Sequence, residues 1–282
     1  IMIGTPIRES SGITGAAFLI KLQADLHGSI YGFLIYFSAF YWLSAYFIST
    51  YIRKKRKLDQ IQQNYIANVT HALKAPIASV KTLTETLCDV ENLDATKQRI
   101  YYGIILQEMN QQSHMVQEIL ELSKLQSRER DFTKAYVSAA EAFAPIFEKY
   151  SMLCDCAHIS FRVSAALSQL PSLYTNASCV GQVLEILLEN ALKYTDDGGS
   201  IEVDAVGVRG QAVFSIHDDG TGISEEDLPH VFERFYKCSR SKSGSGLGLA
   251  IAKEIIAGLK EKIWVESELG TGTAFFFSVR LK

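Results

Sequence analysis

The sequence has no Gly-x-x-x-x-Gly-Lys-Ser/Thr run, so it is not a P-loop nucleotide binder. It has no internal repeat and no low-complexity tract, and with 48% hydrophobic and 21% charged residues it is neither disordered nor fibrous. Its 282 residues leave room for two or more compact units. An excess of positive charge is also missing: the net charge of -3 gives no global attraction to nucleic acid, and none is expected as a partner. The 5 cysteines are odd in number and lack disulfide spacing, which points to a reducing compartment. Cys154-x-Cys156 has no second Cys or His pair at zinc-finger distance, so it reads as ordinary reduced thiols.

Charge is absent altogether from Ile30 to Ile52, a run rich in Phe, Tyr, Ile and Leu, and Arg53, Lys54, Lys55, Arg56 and Lys57 follow at once. A run of this length matches the ~20 apolar residues that cross a bilayer. The basic cluster places the C-terminal side in the cytoplasm. The expected division is 29–52 as a transmembrane helix, with 1–28 before it as the remnant of an extracellular sensor domain. Within that remnant Ile1 to Ile7 and Ile13 to Ile20 read as two short strands joined by Glu9-Ser10-Ser11-Gly12.

After the cations, Leu58, Ile61, Tyr65, Val69, Leu73, Ile77, Val80, Leu83 and Leu87 recur every three or four residues, which predicts a helix. A second helix is expected from about Asp94 to Gln126, with Ile105, Met109, Val116 and Leu120 in its stripe. Two helices with one apolar face each bury those faces by forming a hairpin that dimerises into a four-helix bundle. Residues 53–127 are therefore assigned to a juxtamembrane helix and dimerisation hairpin, 128–134 to a polar linker, and 135–282 to a second cytoplasmic unit. In that unit helices at Ser138 to Met152, Ala177 to Tyr194 and Leu247 to Leu259 alternate with strands at Ile159 to Val163, Ser200 to Val208, Gln211 to His217, Lys262 to Ser267 and Thr273 to Leu281. This order predicts an α+β sandwich, a sheet covered on one face by helices.

The chemistry lies in two places. Asn190 sits on an apolar helix with Glu189 beside it and Lys193 nearly one turn on, so one face offers an amide oxygen and an ammonium to one ligand. An amide oxygen suits Mg²⁺. Asp218 ends a strand before Gly220 and Gly222, where missing side chains let backbone approach a ligand and a carboxylate can accept from an exocyclic amino group such as that of adenine. Gly244, Gly246 and Gly248 lead into a helix whose N–H groups can hold phosphate oxygens. The second place is His71, on the first helix, with Pro76 five residues later to remove a helical hydrogen bond and invite a bend.

Asn190, Asp218-Asp219-Gly220-Thr221-Gly222, Phe232-Glu233-Arg234-Phe235-Tyr236, Gly244-Ser245-Gly246-Leu247-Gly248-Leu249 and Gly270-Thr271-Gly272-Thr273 resemble, in order, the N, G1, F, G2 and final glycine boxes of sensor histidine kinases. The segment His71-Ala72-Leu73-Lys74-Ala75-Pro76 resembles their phosphoacceptor box, and the likeness covers residues 59–282. It implies a multidomain membrane protein with a Bergerat-type ATP-binding domain, of the kind shared with gyrase and Hsp90. ATP and Mg²⁺ are then the cofactors, Asn190 the Mg²⁺ ligand, Asp218 the reader of adenine, and His71 the phosphoacceptor. Lys193, Tyr194, Gly220, Gly222, Lys237, Leu247, Gly248 and Thr273 complete the nucleotide site, and Tyr236 to Gly246 form a lid over ATP. The implied partners are a second copy of the chain and a cognate response regulator, at a bacterial plasma membrane with the kinase region in the cytoplasm.

Three positions depart from the family's pattern. The acidic residue that usually follows the histidine is Ala72, and the Thr or Asn that serves dephosphorylation of the partner is Ala75. The carboxylate of the hydrolytic relatives, usually a second Asn in the kinases, is Ile186, which cannot activate water. The expectation is normal ATP binding with weakened autokinase and phosphatase activity. The alternative is an ATP-binding signalling scaffold without kinase activity, and an ATP-driven hydrolase is disfavoured by Ile186. Too few residues separate Ile52 from His71 for a HAMP-type relay, so the membrane helix is expected to run directly into the first helix of the hairpin.

Overall fold

The computed structural model describes residues 9–89, 94–127, 130–238 and 244–282, with the side chains of 9–30, 57–59, 61–66, His71 and Ala75 among those outside the description. Contacts divide the chain into two units, Ile1–Ala67 and Asn68–Lys282.

Helix α1 is assigned from Glu9 to Asp89. This corrects the strand expected at Ile13 to Ile20, which is helical; the strand expected at Ile1 to Ile7 lies outside the described residues. Ala16, Ala17 and Leu19 are strong helix formers and the segment lacks a period-two alternation, so only the turn-like Glu9-Ser10-Ser11-Gly12 argued for strands. In the first unit the described aromatic side chains of the uncharged run lie open, with Tyr36 79% and Trp42 71% exposed. Among the described residues no helix is long and apolar enough to cross a membrane. Gly32, Phe33 and Ile35 of that run lie outside the described side chains.

In the second unit α1 continues through Pro76, whose missing N–H leaves the carbonyl of Ala72 without its usual helical partner. Helix α2, Ala95–Gln126, follows Asp94 as N-cap and ends at Ser127, whose N–H donates to the Ser123 carbonyl. The described part of the linker, 130–134, is pinned through Arg130. Arg130, with a side chain only 16% exposed, donates to Glu121 of α2 at 2.6 Å and to Gln182 at 2.5 Å.

The C-terminal part is built from β1 (Ala135–Val137), α3 (Ala139–Cys156), β2 (Ser160–Val163), β3 (Leu173–Thr175), α4 (Ala177–Tyr194), β4 (Ser200–Val208), β5 (Gln211–Asp218), α5 (Gly248–Gly258), β6 (Ile263–Glu268) and β7 (Gly272–Arg280). β1 and β3 form a small antiparallel pair. The main sheet has the order β2-β4-β5-β7-β6, antiparallel except for the parallel β2-β4 pair. Alternation along the strands turns Ile201, Val203 and Ala205, Phe214 and Ile216, and Phe275 and Phe277 toward one buried face. There Phe214 stacks on Phe277 at 5.0 Å and meets Phe143 of α3 edge-on at 6.1 Å. Each such side chain contributes ~1.5–3 kcal/mol by leaving water.

Helix α4 positions the site. Asn176 caps it by accepting from the Cys179 N–H at 3.1 Å, and Val180, Val183, Leu184, Leu187, Leu188 and Ala191 anchor its apolar face in the core. The same helical phase turns Ile186, Glu189, Asn190 and Lys193 away from the sheet, into a cavity.

Candidate functional site

A cavity of about 230 Å³ opens between α4, the end of β5, the segment after Phe235 and the start of α5. From α4 it takes Asn190, Lys193 and Tyr194. The Asn190 side-chain amide donates to the Ile186 carbonyl at 3.0 Å, so the carbonyl oxygen is the atom it presents. Lys193 carries its ammonium over the Tyr194 ring, 4.8 Å from the centroid.

The turn after β5 supplies Asp218 and Gly222. Two adjacent aspartates separate into different jobs here. Asp219 accepts from the Ser200 N–H and hydroxyl, each at 2.7 Å, and fastens the turn to β4. Asp218 instead faces the cavity, where burial pushes its carboxyl up to about 6, against the lowering effect of the Gly220 and Thr273 backbone N–H groups. The turn closes on β6: the Ile223 N–H donates to the Ser267 hydroxyl at 2.8 Å, which donates to the Gly272 carbonyl at 2.6 Å. Gly222 has φ +67, and a Cβ there would run into the Glu268 carbonyl. Only glycine fits both the conformation and the space.

The opposite wall contains Tyr236, Lys237, Gly244, Gly246 and Gly248, with Thr273 of β7 beneath. The Phe235 N–H donates to the Gly246 carbonyl at 2.8 Å, joining the two ends of the expected lid; residues 239–243 of that lid lie outside the described residues. Tyr236 donates its hydroxyl to Asp227 at 2.5 Å, which raises the phenol to about 12 and lowers the Asp227 carboxyl.

Two expected site residues do not line the cavity. Leu247 is fully buried in the core, where it anchors the start of α5, while its N–H donates to the Ser245 hydroxyl oxygen at 3.0 Å. Gly220 is packed behind the turn, against the Tyr194 carbonyl, and shapes the wall without forming it. His71 lies within α1, and its side chain is outside the described residues.

Sequence reasoning missed several wall residues. Thr221 stands between two glycines it singled out, Leu249 follows the last of another set, and Val231 and Phe275 add apolar wall. The least foreseeable is Glu118, which comes from α2. Burial and the neighbouring Glu189 raise its carboxyl, while the Ser245 hydroxyl lowers it by hydrogen bonding. No local motif marks it; only the packing of α2 on α5 brings it here.

A concave cavity with the half-buried Asp218 carboxylate, one oriented amide oxygen, a lysine and a run of close-approach glycines is a fit for a nucleotide with its metal. Residues 175–282 match the model of the histidine kinase-, DNA gyrase B- and HSP90-like ATPases, and residues 61–128 that of the His Kinase A (phospho-acceptor) domain. The fold and site thus define a phosphoacceptor helical region followed by an ATPase-type α/β sandwich.

The sensor histidine kinase WalK of Bacillus subtilis is 29% identical over 243 residues, 82% of this chain and 38% of that protein. The sensor protein SrrB of Staphylococcus aureus is 32% identical over 231 residues, 80% of this chain and 39% of that protein. Among solved structures, histidine kinase ThkA in complex with the response regulator protein TrrA superposes with a TM-score of 0.67 at 24% identity, over 82% of this chain and 65% of that one. The Acinetobacter baumannii histidine kinase AdeS gives 0.59 at 21% identity, over 75% of this chain and 98% of that one. The chain belongs to the sensor histidine kinases, and it spans less than half the length of the curated relatives it matches.

Proposed function

We propose that the chain is the kinase-bearing part of a transmembrane, homodimeric sensor histidine kinase that phosphorylates His71 from ATP and passes the phosphoryl group to an aspartate of a response regulator. The carrying observation is the convergence of Asn190, Lys193, Asp218 and the glycine loops on one cavity, downstream of the phosphoacceptor match that contains His71.

Adenine fits the Asp218 end, where the carboxylate accepts from the exocyclic amino group and Val231 and Phe275 cover the ring. The phosphates fit the Lys193, Gly244 and Gly246 end, where backbone N–H groups and an ammonium supply positive charge. Mg²⁺, held by the Asn190 carbonyl oxygen, would neutralise phosphate charge there. A neutral ring nitrogen of His71 attacks the γ-phosphorus: the N–P bond forms, the bond to the β–γ bridging oxygen breaks, and ADP leaves. The other ring nitrogen must then release its proton. Ala72 offers no base for that proton, so transfer is slow, and Ala75 removes the polar side chain expected to serve the reverse hydrolysis.

Dimerisation is supported by the outer face of α2, where Tyr102, Leu106, Met109, Val116 and Leu120 are all exposed in one chain. Successive members stand four, three, seven and four residues apart, which keeps them on one stripe of the helix, the seam of a helical bundle. A membrane span is supported by the exposed aromatic run that ends at Arg53 to Lys57. A response regulator as partner is supported by the ThkA complex with TrrA.

Incubation with γ-labelled ATP tests the reading. Label that is acid-labile, base-stable and absent from His71→Gln is expected. Tight ATP binding with no label on His71, even after prolonged incubation, would refute it.

A further inference from the structure

Helix α2 does more than present a seam to a second copy. Its opposite face carries the buried Met115 and Leu122, and α2 packs on α5. Glu118 lies between them in helical phase, so it is carried by that packing into the wall of the nucleotide cavity. Its Oε1 stands 3.9 Å from the point where a Cβ on Gly248 would lie, with the Ser245 hydroxyl near enough to lower its carboxyl. Ser245 in turn accepts from the Leu247 N–H at 3.0 Å. An anion from α2 thus rests on the glycine loop at the first residue of α5, beside the loop that the proposed nucleotide reading gives to the phosphates. Glu189 adds a second negative charge next to it.

We propose that Glu118 is a specificity-determining residue that stands in for a phosphate on the Gly244 to Gly248 loop, so that docking of α2 on α5 and binding of the terminal phosphate of ATP exclude each other. The inference rests on the nucleotide reading above. The protein without nucleotide, or with a diphosphate, keeps α2 docked through Met115, Glu118 and Leu122. A triphosphate brings a third phosphate group to the loop, the two anions repel across a short, partly buried gap, and α2 is released. Nucleotide discrimination and release of the phosphoacceptor helices become one event. Lys193, on the same wall, offers a counter-charge to phosphate but stands on α4, so it does not tie α2 down.

The test measures affinities of the full chain for ADP and for a non-hydrolysable ATP analogue, by displacement of a fluorescent nucleotide, in the wild type, Glu118→Gln and the control Glu108→Gln. Glu118→Gln removes the charge and keeps the length. It is expected to tighten the triphosphate by ~10-fold, with ADP unchanged within about two-fold and the control flat. Amide exchange supplies a second readout in the unmutated chain: residues 115–122 lose protection on adding the triphosphate and keep it with ADP. Equal effects of Glu118→Gln on both nucleotides, or unchanged protection of 115–122 with either, overturn the proposal while leaving ATP binding in place. Absence of binding by both nucleotides to the wild type removes the nucleotide reading itself, and this inference with it.

Discussion

As the proposed reader of adenine, Asp218 should tie nucleotide affinity and fold stability to pH with opposite signs. Its carboxyl titrates at about 6 in the free protein because burial disfavours the charged form more than two backbone N–H groups favour it. An adenine amino group donates more strongly to the charged form than to the neutral acid, so protonation of Asp218 should weaken nucleotide binding. Between pH 7 and pH 5 the charged fraction falls by roughly ten-fold, and affinity should fall by up to the same factor. For stability the folded value lies above the unfolded one. Its contribution is therefore greatest below the unfolded carboxylate range and is lost as pH rises through 6. Acidification from pH 7 to pH 5 should make this residue stabilise the free fold by about 1.3 kcal/mol, a sizeable share of a typical 5–15 kcal/mol. The assay is a calorimetric titration with ADP and a denaturant midpoint, each at pH 7, 6 and 5, for the wild type and Asp218→Asn. Nucleotide phosphates also titrate in this range, so the decisive quantity is the difference between the two proteins. Asp218→Asn should bind more weakly at pH 7 by roughly 1.5–3 kcal/mol, the worth of a charged hydrogen bond, and its residual affinity should depend less steeply on pH. Identical pH slopes in the two proteins would refute the assignment of Asp218 as the group that reads the base.

Ala72→Glu should restore a base beside His71 and raise the rate of His71 labelling by about 10²- to 10⁴-fold, with nucleotide affinity unchanged; an unchanged rate at saturating ATP would remove the missing-base account. Gly222→Ala places a Cβ against the Glu268 carbonyl at φ +67, and the strain of that conformation alone costs about 1–3 kcal/mol. A thermal melt should show the loss in stability and a titration the loss of nucleotide affinity, while Gly270→Ala, at φ +84 but with open space around its Cβ, should cost less.

The parts of this molecule that were legible in its sequence are those whose cause is local. Helix α4 was read to the residue because the apolar stripe from Val180 to Ala191, the Asn176 cap and the polar residues after Tyr194 all act within one element. Strands β4 and β5 were legible because their period-two alternation has a single buried face. Failures came where a distant contact decides. Three-residue β1 and β3 were missed since neither has a period of its own, and they exist because they pair with each other across the chain. Leu247 was placed in the site by the resemblance of its glycine box, yet as the residue just before α5 it buries its side chain in the core while Ser245 lines the cavity. Glu118 shows the limit most sharply. On α2 it is one glutamate among several, with nothing in its neighbours to distinguish it, and its meaning comes from the packing of α2 on α5. A motif can announce that a chain binds a nucleotide, because the ligand imposes the same glycines wherever it is held. What governs when that nucleotide is admitted depends on which helix rests against the loop, and that is written in packing rather than in a motif.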